Sequence, residues 1–453
     1  MVHNYLELIL ILLLFIILFL EFYDIKSYNI LMFFLFFIII TSYNFFNLTW
    51  HWNLFSFNFW AKSFILLLTI SFILIIFLIK DFRFEIVLLY IMVILGSIII
   101  ITSDNFIVLY MGLELQTFSL FILIAKNRQS IKSSEAGLKY FILGALSSGL
   151  FLLGMSFIFI SSLSLNLKEV LIINFSDFLQ IKIGMILILT SIFFKLAIFP
   201  FHFWIADIYE GSSWEIISLI SIIPKISIIY LFMQLNIFSN FIILCSTLSI
   251  IIGTIGAFNQ TKLKRFLAYS GISHMGFIIL GLSIITKEGY ESSFIYLIIY
   301  IISILIIFFL VIMGNFSKNY YLIELSGLNL VNKLLGLTWL VIFLSISGIP
   351  PLSGFLSKWF IISTIVNHNY LFPSLIAILF SAVGIGYYLR VIKIIYLQKF
   401  SSFFLWKNII NPKINYYKYN NYILGFIFYI SIFLIIYLNP LLIWSYLGFN
   451  YFL

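Results

Sequence analysis

Glu114, Lys195, Lys225, His274 and Lys358 stand inside long apolar stretches of this sequence, in VLYMGLELQTFSLF, SIFFKLAIFPFHFW, SLISIIPKISIIY, YSGISHMGF and SGIPPLSGFLSKWF. Ionisable groups in such surroundings are costly and mark ion or proton pathways. A lysine withdrawn from water sheds its proton more readily, and a carboxylate brought close restores it. A lysine whose carboxylate partner approaches and retreats is therefore a proton switch. An imidazole, which titrates at about 6.5 in water, passes protons between such switches. These five residues are the candidate proton relay. Each also has a plainer reading. Glu114 with Lys195 or Lys225 could be a structural ion pair, and His274 a neutral packing residue. Arg390 and Lys393, toward the end of a later stretch, could snorkel to the membrane surface. Glu135 and Lys139 lie near a helix start and read as interfacial.

Other chemistries find no support in the motifs. There is no GxGxxG after a strand, no Walker loop and no CxxC. His3, His51, His202, His274 and His368 show no metal-ligand spacing, so no metal is expected. The lone Cys245 can form neither an intrachain disulfide nor a four-ligand iron–sulfur site. The sequon Asn47-Leu48-Thr49 reads as incidental.

The elements that position these groups follow from composition. The 453 residues are 63% hydrophobic and only 9% charged. A soluble fold carries about 25% charged residues to cover its surface. This chain must use lipid as its solvent, and every spanning segment must satisfy its own backbone. The fold class is therefore all-α polytopic membrane protein. The net charge of +9 belongs to loops on the retained side of a membrane and not to nucleic-acid binding. The first apolar run lacks a basic n-region and a small-residue cleavage site, and reads as a span and not as a signal peptide.

Apolar runs long enough to span fall near 5–22, 28–46, 59–79, 84–103, 105–125, 136–162, 180–210, 214–235, 238–258, 264–286, 292–314, 335–366, 369–397 and 421–446, about 14 helices. Charge supports that count. The loops after the first, third, fifth, ninth, eleventh and thirteenth runs hold most Lys and Arg, including Lys26, Lys80, Arg83, Lys126, Arg128, Lys132, Lys262, Arg265 and Lys318. The opposite loops hold only Lys62, Lys168, Lys182 and Lys287. Both termini are thus expected on the side away from the basic loops.

Two runs are too long for one straight span, and both contain proline. Pro200 interrupts 180–210; Pro350 and Pro351 interrupt 335–366. Proline removes a backbone donor and clashes one turn back, so each run should be a broken helix lining a polar cavity, unwound near 199–202 and 349–355. The fifth run, YMGLELQTF, aligns with the tenth, YSGISHMGF, at Tyr110/Tyr269, Gly112/Gly271 and Phe118/Phe277. In each half a Pro-broken run follows two runs later, a pattern of duplicated transporters. The expected division is 1–83 for the first three helices, 84–236 and 237–398 for two repeats, and 399–453 for a basic loop and last helix.

On GLELQTFSLFILIA (112–125), EAGLKYFILGALSSGL (135–150), FPFHFWIADIYEGS (199–212), IPKISI (223–228), QTKLKRFLAYSGISHMGF (260–277) and SGIPPLSGFLSKWF (347–360), the sequence resembles the chain 2 family of NADH–ubiquinone oxidoreductase, the antiporter-like membrane subunits of respiratory complex I. The likeness covers about 84–365, and six motifs in order make it specific. The resemblance implies a fourteen-helix fold with two inverted five-helix repeats. It implies a proton-pumping subunit that carries no redox centre, with its Glu on Glu114 and its lysines on Lys195, Lys225 and Lys358. NADH, FMN, iron–sulfur clusters and ubiquinone would belong to other subunits. Partners would be the other membrane-arm subunits, neighbouring antiporter-like chains and lipids. The chain departs from the family pattern after DIYEGS, where Ser213-Trp214-Glu215 stand. The alternative is a subunit of a multi-chain cation/proton antiporter, which shares the fold. The Ile-, Phe- and Asn-rich composition points to an organellar gene and the mitochondrial inner membrane over a bacterial plasma membrane.

Three structural expectations follow. Lys195, Lys225, His274 and Lys358 should lie at similar membrane depth on one continuous polar track, with buried water bridging gaps too long for direct hydrogen bonds. Both long runs should be discontinuous. Glu114 and Lys195 should form a buried pair, direct or through one water.

Overall fold

In a span, helix is the only economical way to satisfy the backbone, and the described residues are helical almost throughout. The computed structural model describes residues 50–51, 55–79, 83–127, 129–172, 179–235, 240–314, 321–398 and 418–449. The expected runs 5–22 and 28–46 lie outside them, as do Asn47, Lys26, Lys80, Arg128, Lys318 and most of the basic stretch 399–420.

A two-residue antiparallel ladder, β1 (Trp50–His51) with β2 (Ser56–Phe57), precedes the helices. Then follow α1 (Phe59–Ile76), α2 (Phe84–Thr102), α3 (Phe106–Ile124), α4 (Ile131–Ser162), the short α5 (Leu167–Ile172), α6 (Leu179–Leu196), α7 (Phe203–Gly211) and α8 (Trp214–Leu235). The second half comprises α9 (Asn240–Phe258), α10 (Leu263–Leu282), α11 (Lys287–Met313), a 3-10 turn at Leu322–Leu325, α12 (Leu328–Val331), α13 (Lys333–Ser347), α14 (Ser353–Asn367) and α15 (Leu371–Leu397). The chain ends in α16 (Lys418–Ile436) and α17 (Asn439–Phe449). Among the described residues ten helices are long and apolar enough to cross a membrane, or eleven with the bent pair near the C-terminus. The chain is thus a multi-pass membrane protein; a count of fourteen is not reached within these residues.

Both expected breaks are present. The run 180–210 divides into α6 and α7, and 335–366 into α13 and α14. The second helix resumes at Ser353, inside the expected unwound stretch. A third break was not foreseen. The run 421–446 is no single straight helix: its two pieces meet at 80°, just before Asn439-Pro440. A proline at the second residue of a helix fits its first turn but cannot continue a preceding one. Ser213-Trp214-Glu215 do not delay the next helix, since α8 begins at Trp214. Lys62 is no loop residue; it lies in the first turn of α1 and is buried.

Ion pairs tie the loops together at two faces. Glu210, at the end of α7, binds Lys132 at 2.8 Å, Lys262 and Arg265, while Asp207 binds Lys139 and Arg265 at 2.7 and 3.1 Å. This joins α4, α7 and α10 at one face, where the charge pattern of the sequence placed their loops. Elsewhere Asp104 accepts from Ser56 and pairs with Lys168 at 3.1 Å. The helix α8 is buried from Ile216 to Met233 and packs on α1, α2, α6 and α11. In contrast α4 buries only a narrow stripe through Tyr140, Gly144, Ser147, Phe151 and Gly154.

Candidate functional site

Each break frees carbonyl groups at the end of its leading half-helix, because the last turn has no N–H partners ahead. At the first break the Phe194 carbonyl accepts Trp204 Nε1–H from α7 at 3.1 Å, and the two rings stack at 5.3 Å. Lys195 occupies the last turn of α6, where the helix dipole favours a cation. It lines a small cavity with Tyr110, Ser147, Ser148 and Ser191, closed by Ile228 and Leu231 of α8. Glu114 is half-buried on α3. Tyr110, one turn earlier, lies within electrostatic reach of its carboxylate, and Thr117 Oγ1 approaches Oε2 at 3.4 Å. Glu114 borders a lipid-side stripe of exposed Ile107, Met111, Phe118 and Ile122. The direct form of the expected pair is not made: Lys195 lies within electrostatic reach of Glu114, but no ion pair within contact distance joins them. The carboxylate is held by its own helix instead.

At the second break, Lys358 follows the break in sequence, yet its Nζ reaches back to the Ser347 carbonyl at 2.7 Å. Thus both lysines, one before its break and one after, sit at the carbonyl end of a leading half-helix. The Lys358 ammonium also stands 5.8 Å from the Phe277 ring centroid, a cation–π distance.

Lys225 of α8 donates to the Tyr300 hydroxyl at 2.8 Å. His274 of α10 is held at both ring nitrogens, Nδ1 to Tyr296 OH at 2.7 Å and Nε2 to Tyr388 OH at 3.2 Å. Lys225, His274 and Lys358 are only 4%, 6% and 8% exposed, too buried for snorkelling. A second cavity is lined by His274, Tyr296, Tyr300, Ser303 and Ser357. Four sequence-selected residues therefore fall into the expected spans, but in two groups. Lys225, His274 and Lys358 gather around α10, α11 and α14. Lys195 stays with Glu114 at the first break. Between the two groups stand Ile228 and Leu231, which close the Lys195 cavity; no hydrogen bond joins Lys195 to Lys225 directly, and this is the gap that the expected water bridges would have to cross.

Sequence reasoning overlooked the tyrosines. Tyr296 and Tyr300 stand four apart in YLIIY, hence on one face of α11, and a pair of hydroxyls in an otherwise apolar span was the available signal. Arg390 is resolved toward the plainer reading. It is exposed and donates to the Phe258 carbonyl at 2.9 Å, at the end of α9. Lys393 is exposed as well, and Lys139 is the interfacial residue expected.

Chemically, the site offers buried cations and neutral hydroxyls in separate hydrogen-bonded pairs, Lys225 with Tyr300, His274 with Tyr296 and Tyr388, and Lys358 with the Ser347 carbonyl, a set of groups that can hold and exchange protons. Comparison with known proteins agrees in kind. The family model described as NADH:quinone oxidoreductase/Mrp antiporter, TM, matches residues 103–385. The chain is 39% identical over 365 residues to NADH-ubiquinone oxidoreductase chain 2 of Metridium senile, covering 78% of this chain and 94% of that one. It is 37% identical over 331 residues to NADH-quinone oxidoreductase subunit N of Pelagibacter ubique, covering 71% and 70%. Its fold matches a chain in the structure of respiratory complex I from Thermus thermophilus with bound Aureothin, at a TM-score of 0.85 and 24% identity over 96% of this chain and 97% of that one.

Proposed function

The chain belongs to the NADH:quinone oxidoreductase/Mrp antiporter membrane family, in its chain 2 (subunit N) branch, and from that premise we propose that it is a proton-translocating membrane-arm subunit of NADH:ubiquinone oxidoreductase. It carries protons through Glu114, Lys195, Lys225, His274 and Lys358, driven by quinone reduction in other subunits, which also hold the NADH, FMN and iron–sulfur sites. The relay is organised as two repeats, 84–236 and 237–398, each with its broken helix. Its partners are the other membrane-arm chains, and its composition supports the mitochondrial inner membrane.

The observation that carries this reading is the burial of Lys225, His274 and Lys358 inside spans, each hydrogen-bonded to a neutral partner and not to a carboxylate. A structural ion pair neutralises its charge locally; these groups do not, so their charge is free to change. The energetic demand is modest. Moving one proton against about 100 mV takes about 2.3 kcal/mol, within what the approach of a carboxylate or the loss of a hydrogen bond at a buried site supplies.

The test is Lys225→Ala in the intact complex, with assembly read on a native gel and proton uptake measured in closed vesicles oxidising NADH. An assembled variant should pump at about a tenth of the parent rate or less. Undiminished pumping in an assembled Lys225→Ala complex would overturn the relay. The multi-chain antiporter alternative is separated by the same gel, where this subunit should migrate with NADH dehydrogenase activity in one large assembly.

A further inference from the structure

Tyr300 touches both halves of the site. Its hydroxyl accepts from Lys225 Nζ at 2.8 Å, and its ring centroid lies 5.1 Å from the same nitrogen. Its ring also packs on the His274 imidazole at 5.4 Å and 44°. It lines the cavity that His274, Tyr296, Ser303 and Ser357 share, next to Lys358. Gly271, one turn before His274, keeps this corner open: a Cβ there would contact the Tyr300 hydroxyl at 3.4 Å and Lys225 Nζ at 3.5 Å. Neither His274 nor Lys358 is hydrogen-bonded to Lys225, so the phenol is the polar atom standing between them.

We propose that Tyr300 is a proton-carrying residue, passing protons between Lys225 and the chamber of His274 and Lys358. The proposal rests on the relay reading above. In the forward step an N–H bond of the Lys225 ammonium breaks and the proton joins the Tyr300 oxygen. The original O–H bond breaks as that proton leaves to a water in the cavity. Lysine ends as the amine and the phenol is neutral again. The water passes its extra proton to Tyr296, which releases its own to Nδ1 of His274, while Nε2–H points to Tyr388. The imidazole ends as imidazolium, and no net charge is left on either phenol. A hydroxyl suits this task because it donates and accepts at once, whereas a second ammonium would only donate.

A purely structural Tyr300 would fill space and give Lys225 an acceptor. Two variants of the intact complex separate the roles. Tyr300→Phe preserves the ring and removes only the hydroxyl. Tyr300→Ser sacrifices packing but leaves room for water to bridge. If Tyr300 carries protons, Tyr300→Phe assembles yet its pumping per NADH oxidised falls by roughly tenfold or more, and Tyr300→Ser pumps better than Tyr300→Phe. A structural role gives the opposite order. Full pumping in Tyr300→Phe, or Tyr300→Ser below Tyr300→Phe, overturns the proposal. Should Tyr300→Ser not assemble, the solvent deuterium isotope effect on pumping decides: it must rise in Tyr300→Phe, and an unchanged value overturns the proposal. Lys225→Ala is measured in parallel. Its loss of pumping beside an unaffected Tyr300→Phe removes Tyr300 alone, whereas full pumping in Lys225→Ala removes the relay itself.

Discussion

The two broken helices solve one backbone problem with different donors. At α6/α7 the Phe194 carbonyl accepts both the Ala197 backbone N–H at 3.0 Å and the neutral indole N–H of Trp204 at 3.1 Å. The Lys195 ammonium is left facing a hydroxyl-lined cavity, with a half-buried Glu114 as its nearest counter-charge. At α13/α14 the freed Ser347 carbonyl is occupied by the Lys358 ammonium itself, and the surrounding His274, Tyr296, Tyr300 and Tyr388 are all buried. By the exposure of its side chains the first region is the more open, with Tyr110, Glu114 and Lys195 half-buried, and it carries the acid; the second is enclosed, and no acid lies among the described residues that line it. Within the proposed relay, this makes the first break responsive to a carboxylate that can move, and the second dependent on fixed hydrogen-bond partners.

The hardest way to break the comparison is to deny the second region its close packing. A Cβ at Gly354 would overlap the Ser345 carbonyl oxygen, so Gly354→Val should abolish assembly, seen as loss of the complex on a native gel. The next largest effect falls on Lys358→Met. It leaves the Ser347 carbonyl unpartnered at about 1–3 kcal/mol and should reduce proton pumping by roughly tenfold or more in whatever assembles. Were pumping intact, the enclosed region would be structural only.

Glu114→Gln sharpens the other side. It keeps size and hydrogen bonding to Thr117 but removes the charge, so assembly should survive while NADH-driven pumping drops by several-fold, about 1 kcal/mol of lost modulation. Glu114→Asp should be milder. Equal pumping in Glu114→Gln and parent would make the open region no more than a packing contact.

Trp204→Phe tests the claim that the first break is held by a neutral donor. The stack on Phe194 is retained and one hydrogen bond is lost, worth about 1 kcal/mol. Thermal stability of the complex should fall slightly and pumping should change by no more than about twofold; a loss as deep as that of Lys358→Met would erase the distinction between the breaks. The smallest effect is expected for Arg390→Gln. This side chain serves the exposed end of α9, so pumping should equal the parent within error, and a clear loss would move Arg390 into the relay.

What the sequence by itself determined was whatever depends on local chemistry repeated along the chain. Low charge and long apolar runs made it a multi-span helical protein. Pro200 and Pro350–Pro351 dictated two breaks, since proline's missing N–H acts on its own helix wherever it sits. Mid-span Lys195, Lys225, His274 and Lys358 were selected by the cost of burying them. What only the tertiary structure decided was which of these groups meet. Lys358 turns back across its break to Ser347, and Lys225 finds Tyr300 seventy-five positions away. Glu114 takes its contact from Thr117 on its own helix and makes no direct ion pair with Lys195 on another. Tyrosine reads as apolar bulk in a sequence, because its hydroxyl matters only when packing aims it at a buried charge. That aim depends on the rotation and depth at which α8, α10 and α11 pack, and periodicity within a uniformly apolar span leaves both open.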